Sequence, residues 1–179
     1  MQIVVTRVDA HRYSTVVERD GVELRVPGYA FMRALPHDLA HFVVENMLRL
    51  DRGFWGSVAA GADFPGMERL GGRRKPHATA TAKTISKANT EYLSEAERLV
   101  ACFEKIVDGK LDRVSQQADA ELRQALAIVR HRSKAITPSE TANVCVAWRA
   151  MQARWDEISI CGVIRLEWPV HPPGKMRQR

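Results

Sequence analysis

Residues 13–26 read YSTVVERDGVELRV, and the Asp20-Gly21 pair inside them constrains the fold more than any other stretch. Val22, Leu24 and Val26 alternate with Glu23 and Arg25, the period of a strand with one dry face and one wet face. Asp-Gly between two such runs predicts a tight hairpin, because glycine takes the positive φ of the turn without steric cost. Residues 2–8, QIVVTRV, are also β-rich, so an antiparallel meander is expected, ended by Pro27-Gly28. A further strand, VIRLEW at 163–168, sets Ile164, Leu166 and Trp168 on one face and is expected to join the meander. Pro169, Pro172 and Pro173 prevent its continuation.

Between these strands the pattern is helical. One helix is predicted from Pro36, which suits a first helical position because the N–H it lacks would be unpaired there. Leu39, Phe42, Val43, Met47 and Leu50 form its apolar stripe, and Asp51-Arg52-Gly53 marks its end. A short element follows at 54–62, with Phe54 and Trp55 expected to anchor it in the core. Three more helices are expected. The first spans 91–107, with Leu99, Val100, Phe103, Ile106 and Val107 inward. The second spans 112–131. The third opens with the capping box Thr137-Pro138-Ser139-Glu140 and carries Val144, Trp148, Met151 and Trp155 on one stripe. Residues 61–90 show no clear period, and six of the thirty are Gly or Pro, so a long loop is expected there. The fold class predicted is α+β: a meander plus the C-terminal strand, packed against about four helices, in one domain over 1–169.

Composition excludes several classes. No apolar run is long enough to span a bilayer, and the N-terminal segment alternates like a strand instead of resembling a signal peptide, so a cytoplasmic protein is expected. Cys102, Cys145 and Cys161 are widely spaced, odd in number and without a CxxC pair, so neither a disulfide framework nor a thiolate zinc site is expected. There is no P-loop, no GxGxxG before a helix and no GxSxG elbow.

The chemistry concentrates in LPHDLAHFVVEN at 35–46. A helix advances about 100° per residue, so with His37 at zero, His41 lies near about 40°, Glu45 near about 80° and Asp38 near about 100°. The apolar residues centre near about 250°, so the four polar groups share a face directed away from the core. Histidines at i and i+4 can share one metal ion, as in the HExxH helix of zinc metalloproteases, although here the following residue is aspartate. His37 and Glu45 are separated by about 12 Å of helical rise, too far to ligate one ion together. The workable pairs are therefore His37 with His41, or His41 with Glu45; the expected site has His37 and His41 as ligands to zinc or another divalent metal, with Glu45 an alternative ligand. Asp38 and Glu45 are its candidate catalytic or orienting carboxylates, and the expected reaction is hydrolysis by metal-activated water. A third ligand has to come from elsewhere: His11, His77, His131, His171 or a carboxylate.

LPHDLAHFVVE together with GFWGSVAAGADF at 53–64 resembles a motif pair of small bacterial proteins without an assigned activity. The resemblance covers about a sixth of the chain. It implies a bacterial cytosolic origin and that the two segments form one unit, and it carries no catalytic role.

A second expectation comes from charge. The net charge of +6 is concentrated: residues 61–90 carry +4 and the tail at 170–179 carries +3, leaving the rest nearly neutral. Arg73, Arg74, Lys75, Lys83 and Lys87, with the tail, are candidates for binding nucleic acid or an acidic protein. Four or five phosphate contacts would make log K fall with log salt at a slope near about −4.

Overall fold

The computed structural model describes residues 1–27, 35–73, 76–109 and 135–169. The expected helix at 112–131, Arg74, Lys75, His131, His171 and the basic tail lie outside the described residues.

The fold is α+β. Strands β1 (Gln2–Arg7), β2 (Tyr13–Arg19) and β3 (Val22–Val26) form the expected meander, and β5 (Val163–Glu167) pairs antiparallel with β1, Ile3 opposite Leu166. Asp20 and Gly21 have φ of 54° and 71°, the paired positive values that a two-residue hairpin turn requires. A fifth strand, β4 (Glu68–Gly72), lies antiparallel to β3, giving the sheet order β4-β3-β2-β1-β5.

The helices are α1 (His37–Leu48), α2 (Phe54–Ala60), α3 (Ala78–Ala88), α4 (Thr90–Val107) and α5 (Pro138–Glu157). The capping box forms as expected: Glu140 N–H donates to the Thr137 hydroxyl at 3.2 Å, and Thr137 N–H donates to Glu140 Oε2 at 2.9 Å. One sheet face is buried, through Ile3, Val5, Val17, Leu24, Val26, Ile164 and Leu166, and it shares a core with α1, α4 and α5. Glu18, Glu23, Arg25, Arg165 and Glu167 are exposed on the opposite face.

Three features depart from the sequence reading. First, residues 61–90 are not one long loop, because β4 and α3 lie within them. Neither carries an apolar pattern. β4 reads ERLGG and is held by its ladder to β3, and α3 buries only Ala82. Second, Met47 is 40% exposed, while Val44 takes an inward place on α1. Third, the polar face of α1 is not wet. Nine of its twelve residues are buried, among them Asp38, His41 and Glu45, because α1 is flanked by α2, α4 and α5. Among the described residues, no helix is long and apolar enough to cross a membrane.

Candidate metal centre

His37 and His41 stand on adjacent turns of α1, as the i, i+4 spacing dictates. Their Nε2 atoms lie 3.2 Å apart. Glu97, from α4, completes the group, with Oε2 3.3 Å from His37 Nε2 and Oε1 3.3 Å from His41 Nε2. Donors about 2.0–2.1 Å from one ion at tetrahedral angles are about 3.3–3.4 Å from each other. The two Glu97 distances run to different oxygens, and with one donor atom taken from each side chain the three lie within 4.8 Å of one another, close enough to face one ion. Among the described residues this is the one cluster of three such donors that could hold an ion. The His37 and Glu97 side chains are 36% and 56% exposed, so the group opens to solvent on one side. His41 is 2% exposed and forms the inner wall, with the Phe54 ring 5.8 Å from its own.

The sequence reading missed Glu97. It lies beside the apolar stripe of α4, in EAERLVACF, and no spacing links it to a motif more than fifty positions upstream. Only the packing of α4 on α1 brings it to the histidines. His11 and His77 are exposed and outside this cluster.

Behind His41 sits Glu45, fully buried. Its Oε1 accepts from His41 Nδ1 at 2.8 Å and from the Phe54 amide at 2.8 Å, and its Oε2 accepts from the Trp55 amide at 2.9 Å. Both oxygens are engaged by donors behind the histidine, which is the geometry of an orienting group and not of a general base. Asp38 is also buried, and its Oδ2 accepts the Thr15 hydroxyl at 2.6 Å. Burial pushes its carboxyl above the usual range, against the pull of that hydroxyl and of the two histidines. It faces the sheet, and its backbone oxygen accepts the Trp55 indole N–H at 2.9 Å. Through Glu45 and this indole bond, the segments 35–46 and 53–64 form one packed unit.

Trp55 is the core anchor expected of it, completely buried, while Phe54 is half-buried and stacks on Phe64 at 5.2 Å. Of the basic candidates, Arg73 is exposed just after β4, and Lys83 and Lys87 are exposed one turn apart on α3.

Burial opposes charge on His41, but the hydrogen bonds it donates to Glu45 and Glu97 outweigh that and push the imidazole up to about 9. Hydrogen bonds from His37 and His41 hold the Glu97 carboxyl far below the ordinary carboxylate range. Comparison with protein-family models, with curated protein sequences and with solved structures gives no match to this chain.

Proposed function

We propose that the chain is a metalloprotein that binds one zinc-like divalent ion through His37, His41 and Glu97 and uses it for hydrolysis. The observation that supports this most is the convergence of one donor atom from each of three side chains, all within 4.8 Å of one another, from two different helices. Three protein ligands with one side open is the pattern of catalytic zinc sites, whereas structural sites close the fourth position with protein. When bound, such an ion would lower the pKa of a water to about 7 and supply a nucleophile at neutral pH. His41 fixes the inner wall, Phe54 excludes water from one flank, and the exposed edge at His37 and Glu97 is where a substrate enters.

The test is metal analysis of purified chain, followed by assay on ester and phosphodiester substrates. The expected result is about one ion per chain, lost in His41→Ala and in Glu97→Ala, with metal-dependent turnover lost in parallel. Stoichiometric metal that survives both substitutions would overturn the site, and metal binding without turnover on any substrate would overturn the hydrolytic part.

A second reading is favoured by the exposure of Arg73, Lys83 and Lys87 on the β4–α3 segment. There the chain binds an anionic partner, nucleic acid or an acidic protein, without catalysis. Duplex DNA binding that weakens with salt at a slope near about −4 and fails when the cluster is replaced by alanines supports it. Salt-independent binding refutes it.

A further inference from the structure

Glu45 is a carboxylate with no exposed surface, yet its hydrogen bonds are made to one imidazole and two backbone amides. A buried charge persists only where its desolvation is offset by directed donors, and three donors within 2.9 Å meet that need. The seat is shaped for it. A Cβ on Gly53 would lie 2.5 Å from Glu45 Cδ and 2.6 and 2.8 Å from its two oxygens, so the carboxylate fills the space a side chain would occupy. Gly53 has φ −69°, open to any residue, so glycine stands there for room and not for conformation.

We propose that Glu45 is the positioning residue of the metal centre. It holds neutral His41 as the tautomer protonated on Nδ1 and so commits the Nε2 lone pair to the ion. This rests on the metal-binding reading of His37, His41 and Glu97. An ionised carboxylate only accepts hydrogen bonds, so a neutral imidazole 2.8 Å from Glu45 Oε1 carries its single proton on Nδ1. Its other nitrogen is then a bare donor facing His37 Nε2 and Glu97 Oε1. A carboxylate behind a ligating histidine also raises the basicity of the ring, and loss of such a partner costs about 10–100-fold in metal affinity. The amides of Phe54 and Trp55 fix the carboxylate in turn, so the first turn of α2 sets the direction in which His41 points.

The competing role is structural, with Glu45 serving only to satisfy the α2 amides. Zn²⁺ affinity by chelator competition, and the visible spectrum of the Co²⁺-substituted chain, separate the two. Glu45→Gln keeps the shape but sets an amide N–H₂ against one of the three donors. We expect Zn²⁺ binding about 10–100-fold weaker and a displaced Co²⁺ spectrum. Gly53→Ala keeps the charge but moves the carboxylate, and is expected to weaken binding in the same direction. A structural role predicts lower stability with Zn²⁺ affinity within twofold of wild type and an unchanged Co²⁺ spectrum, and that result overturns the proposal. If neither variant folds, long-range ¹H–¹⁵N spectra of the Zn²⁺-loaded wild type decide. Nδ1 protonated and Nε2 ligated is the expected pattern, and the reverse refutes it. A wild-type chain that binds no Zn²⁺ removes the centre itself, and with it this role. A wild type that binds while Glu45→Gln binds equally well removes the role alone.

Discussion

Raising the pH on the metal-free chain tests the electrostatics of the centre directly. His41 is pushed up to about 9 in the folded protein, against about 6.5 when unfolded. The folded state therefore binds the proton more tightly, so this stabilisation is complete below pH 6.5 and is lost as pH rises through about 9. A difference of about 2.5 pK units corresponds to about 3 kcal/mol, and His41 is buried enough for most of it to survive screening. The assay is urea unfolding between pH 6 and 10 in the presence of a chelator. The same series on His41→Asn, which keeps a donor toward Glu45 but cannot titrate, serves as the reference. Wild-type stability should fall relative to the reference across that window. With one equivalent of Zn²⁺ the fall should disappear, because the ion takes the place of the proton. Apparent Zn²⁺ affinity should then rise about tenfold per pH unit up to about pH 9, since one proton is displaced. Metal-free stability that stays level or rises between pH 6.5 and 9, relative to His41→Asn, would refute the account of how His41 is held.

Three further outcomes follow from the fold. Gly72→Ala places a Cβ 2.0 Å from the Gly21 carbonyl oxygen at φ +81°, so it should cost at least about 1–3 kcal/mol in urea unfolding, and amide exchange should show β4 released from β3. Arg19→Met removes the guanidinium bonds to the Val58 and Ala62 carbonyls and to Asp63, and should destabilise by about 1.5–3 kcal/mol in the same assay. Thr137→Ala breaks the capping box of α5 and should lower stability by about 1 kcal/mol with Zn²⁺ affinity unchanged, which separates a stability defect from a defect of the centre.

What the sequence made legible is what is decided locally. The Asp20-Gly21 turn needs only its own φ values, the capping box only residues 137–140, and the His37–His41 proximity only the pitch of a helix. The strand at 163–167 was also legible, because its alternation matches the dry face of β1. Features fixed by packing were not. Glu97 meets the histidines because α4 lies on α1, and nothing within either helix encodes that meeting. β4 has weak strand propensity and two terminal glycines, and it exists through its ladder to β3. The periodicity argument sent Asp38, His41 and Glu45 outward, since polar residues usually face water. It fails here because each found a partner inside: the Thr15 hydroxyl for Asp38, Glu45 for His41, and two amides for Glu45.

The helix α2 has seven residues, too short to persist through its own hydrogen bonds. Glu45 grips its first amides, and Arg19, reaching from the end of β2, grips the Val58 carbonyl in its last turn and the Ala62 carbonyl just beyond. The two side chains hold the same short segment from its opposite ends. Drift at one position should consequently be answered at the other, so homologous chains that trade the glutamate for an apolar residue should also have given up the arginine.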